Sequence, residues 1–466
     1  MDSHSDVTAA LARAGFDVAA IDRWALAAPG WTDDFDADAS AATHYWTLGG
    51  ALLSRLPAKP ARDAANSRAA EGLKASLRAV RAAFLDRHAG ALYDRLTGGR
   101  TRFVRIERLV YDAADLVPGL VPDRRMVAAE AELKQADKEG HEIDQGLLLN
   151  RFLACPVRGI HLCHTMLLAR PESAEALAKF LRDGSLDLGG ARVERQGKAA
   201  VLLLSNPRFL NSEDMFTQTA TEIGADVCIL DPKSEVAVLR GAVVPQGKYA
   251  GRRIYNAGIN LTHLYYGKIP FLWFPIRDMG FVNKLTRGLA SPEAPPFEEF
   301  GGSTEKLWIS AVDTFAIGGG CQILLATDFT VAADDAYMTL PARKEGIIPA
   351  MANLRLARFV GDRLARQGIM YERRFDCASP EGRMICDEVV PADAIDATLT
   401  RVIDRLTGAG VVGAIGNRRA LRLALEPLDL FRRYAALYAR EQALCHFSPA
   451  LIANLEFHWN AQNRRA

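Results

Sequence analysis

With 466 residues, 49% of them hydrophobic and 24% charged, the chain has the proportions of a soluble globular protein of two or three domains, which excludes a disordered or fibrous one. Lys and Arg total 57 against 56 Asp and Glu, and a net charge of +1 gives no global field for nucleic acid or an anionic membrane. No run of about eighteen apolar residues occurs, and Met1-Asp2-Ser3-His4-Ser5-Asp6 lacks the basic and apolar regions of a secretory leader, so a cytoplasmic protein is expected.

From Asp6 to about Leu181, apolar residues recur at helical spacing, as in Leu73, Leu77, Val80 and Phe84. This predicts a helical N-terminal domain over 1–184, broken by a turn-rich stretch from Ala28 to Ala41 and by turns at Pro118-Gly119 and Pro122-Asp123. His161-Leu162-Cys163-His164 falls in this region. On a helix, neighbours at i and i+2 point apart and no second cluster supplies further ligands, so packing is expected and no metal site. The seven cysteines are scattered without a CxxC pair and read as reduced thiols.

Near Ser185 the texture changes. Ala199–Leu204 reads as a buried strand stopped by Asn206-Pro207, and further strands are predicted at 236–239, 309–315 and 330–333, with helices at 214–223 and 321–326 between them. Over 185–392 that order predicts an α/β domain of stacked strand-strand-helix turns. Within it, Gly241 to Lys248 imitates a P-loop but has one residue too many and Tyr249 where Ser or Thr is required. Arg343-Lys344-Glu345 reads as a solvated turn without a role. From about Ala392 the pattern is helical again, and helices over 393–466 are expected to serve oligomerisation or to cover a site.

The segment Trp308 to Gln322 sets Gly318-Gly319-Gly320 between a strand and a helix. Glycines there let a backbone N–H approach a ligand, and the helix start aims its positive end at the same place. Such a junction can hold a developing anion, although three glycines alone are an ordinary turn more often than a site. Together with Asp328 and Ala332-Ala333, the segment resembles the second oxyanion motif of the crotonase (enoyl-CoA hydratase) superfamily. The resemblance implies a ββα spiral core and gives Gly319 the role of an amide donor to a thioester oxygen. Ala257-Gly258-Ile259-Asn260-Leu261 stands where the first donor belongs, which implies Ile259 as its partner. Asn206 to Asn211 resembles the loop that touches coenzyme A, so Pro207 and Arg208 are implied in binding it, and Lys248, Tyr249 and Arg252 are candidates for its phosphates.

A hydratase would have Glu where this chain has Gln322 and, after Pro341, Ala342, so acid/base hydration loses both its groups. Segments 206–213, 249–253, 258–265, 267–274 and 340–349 resemble instead the metal- and cofactor-independent dioxygenases of the superfamily, which act on arylacetyl-CoA thioesters in glycopeptide-antibiotic pathways. Asp144-Gln145-Gly146, His161 to His164 and Cys445 to Ala450 extend the resemblance into the helical regions. It departs at Gly320 and Ala350, where the dioxygenase pattern has His and Gly. It implies that Glu213, Arg277 and Gln322 bind two meta hydroxyls of an aryl ring. Taken alone, Glu213 reads more readily as a helix-start residue, and Arg277 beside Asp278 as a surface ion pair. The implied reaction converts 3,5-dihydroxyphenylacetyl-CoA and O2 to 3,5-dihydroxyphenylglyoxylate and free coenzyme A, for the 3,5-dihydroxyphenylglycine unit of a glycopeptide-type antibiotic. The implied assembly is a trimer or hexamer. Another crotonase reaction on a thioester, such as hydrolysis, isomerisation or decarboxylation, is the alternative, and the acceptor of the α-proton is not legible.

Overall fold

The computed structural model describes residues 3–296, 299 and 302–465. Nine α-helices span Ser3 to Asp183 before the first strand begins at Ser185. The stretch read as turns from Ala28 to Ala41 is loop only to Asp34; a helix runs Phe35–Arg55. Asp34 caps it by accepting a hydrogen bond from Ala37 N at 2.8 Å. Asp38, four residues on, is buried and binds Thr32 and His88, so the acidic run that looked like loop is helix start and anchor.

Among the described residues twelve short strands follow: β1 (Ser185–Asp187), β2 (Ala191–Gln196), β3 (Ala199–Leu204), β4 (Val236–Gly241), β5 (Leu289–Ala290), β6 (Ser303–Thr304), β7 (Leu307–Val312), β8 (Phe315–Ile317), β9 (Phe329–Ala333), β10 (Tyr337–Thr339), β11 (Phe375–Asp376) and β12 (Glu388–Val390). The main sheet has the order β1-β2-β3-β4-β7-β9-β12, parallel from β3 onward, and a small sheet has the order β11-β10-β8. The run 309–315, expected as one strand, is two. Asp313-Thr314 carries the chain from the main sheet into the small one, and the same step recurs between β9 and β10. The turns β7-β8 and β9-β10 thus each add one strand to each sheet before a helix, the stacked spiral predicted for this region. Strands β3, β4, β7 and β9 are buried almost throughout because they are covered on both faces.

The helical regions close around this spiral. Helix Leu428–His446 packs along helix Ile143–Ala154, and Gly146 makes that contact possible: a Cβ there would lie 2.4 Å from the Ala443 Cβ and 2.7 Å from the Ala439 carbonyl. Segments around 146 and 445, so far apart in sequence, are therefore packing partners. His161 lies within 2.7 Å of the Tyr93 hydroxyl and stacks on Phe103, so it is a packed core residue. Among the described residues there is no cluster of His, Cys, Asp and Glu able to hold a metal ion, and no helix is long and apolar enough to cross a membrane.

A buried charge cluster joins the helical layer to the spiral. Lys284 Nζ lies 2.8 Å from Glu222 and 2.7 Å from Asp226, while Arg105 and Arg170 reach Glu222 from loops of the N-terminal region at 3.0 and 3.2 Å. Removing one partner of such a cluster leaves a buried charge uncompensated. Lys284→Met, similar in volume, is expected to lower unfolding free energy by about 3–5 kcal/mol. Urea titration checks this, and an unchanged midpoint would contradict it.

Candidate active site

Helix Met215–Leu230 begins at Asp214, whose side chain accepts from Phe216 N at 3.0 Å. The other oxygen of Asp214 receives Asn206 Nδ2 at 3.2 Å and Asn260 Nδ2 at 3.0 Å, and faces His263 Nδ1 at 3.0 Å. Burial opposes the charge on Asp214, but hydrogen bonds from His263 and Asn260 outweigh it and hold the carboxyl below its usual range. One carboxylate thus ties together the 206 loop, the helix start and the 258–260 loop.

Glu213, next to that hub, uses its backbone as well. Its N–H donates to the Gly258 carbonyl and its carbonyl accepts from Asn260 N, both at 2.8 Å. Ile259 is bracketed between these bonds, and its own N–H has no partner among the described residues. Gly258, at φ +81°, lies against the Gly318-Gly319 junction: a Cβ on it would be 3.2 Å from Gly319 N. The junction itself is pinned by Gly318 N to the Thr339 carbonyl at 2.9 Å and Ile317 N to the Asn256 carbonyl at 3.0 Å. Gly319 opens a helix of six residues, Gly319–Leu324, and the first N–H of a helix has no partner within it. The loop that carries Ile259 therefore lies against the start of the helix opened by Gly319.

The same glycine borders the polar end of the site. A Cβ on Gly319 would lie 2.0 Å from Glu213 Oε2 and 3.1 Å from Arg277 Nη2. Glu213 and Arg277 form a two-pronged pair, Nε to Oε1 at 2.7 Å and Nη2 to Oε2 at 2.8 Å. Arg277 also donates to Gln322 Oε1 at 2.8 Å, to Asp278 Oδ1 at 2.6 Å and to the Gly319 carbonyl at 3.1 Å. Arg277 is not a surface residue and Glu213 does not cap the helix; both are buried, with 4% exposure each. Burial would disfavour the Arg277 charge, yet the Glu213 and Asp278 carboxylates raise its pKa above the ordinary value.

Two cavities meet here. A cleft of about 590 Å³ runs past Arg208, Tyr249 and Ile259 to Lys344, Trp459 and Arg464. An inner pocket of about 20 Å³ is enclosed by Glu213, Arg277, Gln322, Trp273, Phe274 and Tyr438, among others. That inner space of about 20 Å³ is about one water's worth, so a larger group enters it only when side chains of the wall swing aside. Ile259 and Glu345 line both cavities. Of the candidates for coenzyme A, Arg208 and Tyr249 line the cleft, and Pro207 starts the short turn that presents Arg208. Lys248 and Arg252 are not on its lining; Lys248 lies over the Tyr249 ring, and Arg252 is 2.9 Å from Asp335.

Glu345 corrects the reading of Arg343-Lys344-Glu345 as a solvated turn. Arg343 and Lys344 are exposed and bind Glu372 at 3.0 and 2.7 Å, but Glu345 turns inward and is buried. The short helix Ala342–Glu345 packs on helix Pro449–Trp459, a long-range contact that no local charge pattern announces. Ala350 lies on the inner pocket at φ 37°, in the left-handed region that favours glycine, which is the residue of the dioxygenase pattern at this position. A Cβ on Gly320 would lie 2.6 Å from the Asn256 carbonyl, so the backbone here has no room for the His of that pattern.

The spiral of strand-strand-helix turns carries a long cleft past Ile259 and an inner pocket past Gly319. The family model for enoyl-CoA hydratase/isomerase matches residues 302–417. The chain is 43% identical over 405 residues to the (3,5-dihydroxyphenyl)acetyl-CoA 1,2-dioxygenase of Amycolatopsis orientalis, an alignment covering 87% of this chain and 92% of that protein. A short-chain-enoyl-CoA hydratase of Clostridium acetobutylicum is 24% identical over 243 residues, 52% of this chain and 84% of its own. Among solved structures, an enoyl-CoA hydratase from Mycobacterium avium subsp. paratuberculosis matches 59% of this chain and 98% of its own, with 20% identity and a TM-score of 0.47. The chain belongs to the enoyl-CoA hydratase/isomerase (crotonase) family, and within it to the group of the Amycolatopsis dioxygenase.

Gly319→Ala is expected to keep the fold while its methyl displaces the Glu213 carboxylate and tilts the amide. Displacements of about 1 Å at a reacting centre cost on the order of 10²-fold. Circular dichroism and thioester consumption measure the two halves of this expectation, and unimpaired turnover would exclude Gly319 from the site.

Proposed function

We propose that this chain is a (3,5-dihydroxyphenyl)acetyl-CoA 1,2-dioxygenase, converting that thioester and O2 to 3,5-dihydroxyphenylglyoxylate and free coenzyme A. Identity to the Amycolatopsis enzyme runs through the helical regions as well as the spiral, 405 residues at 43%, and that span carries the assignment. The short-chain-enoyl-CoA hydratase and the carnitinyl-CoA dehydratase of Citrobacter koseri match only 52% and 47% of the chain, at 24% and 28% identity.

The site chemistry fits. The Ile259 and Gly319 amides hold the thioester oxygen as it gains charge when an α-proton leaves, an arrangement worth about 3–4 kcal/mol per donor in such sites. Glu213 accepts from one ring hydroxyl, while Arg277 and Gln322 hold the other. The resulting carbanion reduces O2, recombination gives an α-peroxide, and attack on the thioester carbonyl expels coenzyme A. Coenzyme A lies in the large cleft, with Arg208 and Arg464 near its phosphates and Tyr249 beside it. Gln322 and Ala342 stand where a hydratase has its two glutamates, so no side chain at those positions activates water. The reaction needs no resident metal or flavin. We further assign the enzyme to the cytoplasm, to a homo-oligomer of trimers paired as a hexamer, and to supply of the dihydroxyphenylglycine unit of a glycopeptide-type antibiotic.

Incubated with the arylacetyl thioester in air, the enzyme is expected to consume O2 and release coenzyme A one for one, with the α-keto acid as product. Coenzyme A release without O2 uptake, or arylacetate as product, would make it a hydrolase. Gln322→Leu removes one hydrogen bond to the ring and should lower kcat/KM by about 10- to 100-fold, in line with about 1–3 kcal/mol for an unpaired buried polar group; the same change should leave phenylacetyl-CoA binding nearly unaltered.

A further inference from the structure

We propose that Glu345 is the base that removes the α-proton of the bound thioester. The inference rests on the dioxygenase reading and supplies the proton acceptor that reading lacks. Glu345 is 7% exposed, and with Ile259 it borders both the cleft and the inner pocket, the place where a thioester carbonyl and its α-carbon must lie if the acyl group is inside and coenzyme A outside. Its two carboxylate oxygens are 3.6 and 3.9 Å from the position of a Cβ on Gly318, beside the peptide that presents the Gly319 N–H. The α-carbon is one bond from the carbonyl held by that N–H.

The other acids on these cavities are engaged. Both oxygens of Glu213 bind Arg277, Asp278 binds the same guanidinium, and Glu372 is paired with Arg343 and Lys344. The Glu345 N–H donates to the Pro341 carbonyl at 3.0 Å, but its carboxylate has no hydrogen-bond or ion-pair partner among the described residues. Facing it are Glu372 at the end of helix Ala352–Tyr371, the Glu213–Arg277–Asp278 group across the inner pocket, and His458 and Arg464 across the cleft. Burial first, and then repulsion from Glu372, push its carboxyl up to about 7. At neutral pH it is therefore divided between the form that takes a proton and the form that returns one.

In the step, the Cα–H bond breaks, the proton passes to Glu345, and the electron pair becomes the enolate whose oxygen charge the two amides hold. After O2 has added and the peroxide has closed on the carbonyl, the same proton goes to the departing coenzyme A thiolate; the freed carboxylate then takes the second α-hydrogen as a proton, the Cα–H electron pair forms the ketone as the O–O bond breaks to give the carboxylate of the α-keto acid, and that proton leaves to solvent. The base is thereby restored and no further reactant is consumed.

Glu345→Gln is expected to lose about 10²- to 10⁴-fold in kcat, the usual contribution of a positioned base, with KM little changed. In anaerobic D2O the wild type should exchange the α-hydrogens of the thioester, read by NMR, and the Gln variant should not. A Gln variant that exchanges, or turns over in air, at the wild-type rate overturns the proposal. A wild type that exchanges these hydrogens but takes up no O2 in air overturns the dioxygenase reading and leaves Glu345 as base. Should Glu345→Gln not fold, the pH profile decides. The wild-type rate should rise with pH through about 7 as Glu345 loses its proton. Glu372→Gln, by removing the repelling charge, should move that rise to lower pH, and an unmoved profile counts against Glu345.

Discussion

Glu213 holds the site together with both its backbone and its side chain. Its main chain bonds the residues on either side of Ile259, which fixes that loop and leaves the Ile259 N–H free; its side chain grips Arg277, which in turn reaches Gln322 and the Gly319 carbonyl. The two amides and the polar end of the pocket are therefore placed by one residue. Breaking a buried pair of this kind by removing one partner costs about 3–5 kcal/mol, so the geometry is stiff. Only glycine at 319 lets the backbone come so near the Glu213 carboxylate, and the spacing of the two loops is set by that contact.

The helical regions act on the same centre from outside. Glu142, on the helical layer, accepts from Phe271 N at 2.6 Å, two residues before the helix Trp273–Arg277 that carries Arg277. Tyr438 on helix Leu428–His446 walls the inner pocket, and Leu455, His458 and Trp459 from the following helix line the cleft. The elements added to the spiral thus enclose the acyl end rather than extend the sheet. An enolate meant for O2 has to be shielded from water, and a closed inner space of about 20 Å³ is consistent with that need.

Much of this was legible wherever the determining physics is local. The glycine junction could be read because its close approach forbids side chains, and the strands because buried parallel strands are continuous apolar runs. The 309–315 run was read as one strand because the corner at Asp313-Thr314 depends on a second sheet that the segment itself does not encode. The Ala28–Ala41 stretch looked like loop because capping acids and turn acids are the same residues; what decides is whether Asp38 finds Thr32 and His88. Glu345 was missed for the same reason. Three charged residues in a row look solvated, and only Glu372, which draws Arg343 and Lys344 outward, and the helix Pro449–Trp459 lying over the turn set the third apart.

Glu345 also carries a cost that bears on its role. A carboxyl moved from 4.5 up to about 7 on folding favours the native state fully only below the unfolded value, and that contribution is lost as pH rises from there through the folded one. At pH 8 the difference amounts to about 3 kcal/mol, a sizeable fraction of the roughly 5–15 kcal/mol that keeps a domain folded. A leucine at 345 would fill an apolar wall without that loss. An ionisable group whose carboxylate is kept unpaired between two cavities, next to the Gly318-Gly319 junction, is a poor device for stability and a suitable one for moving a proton.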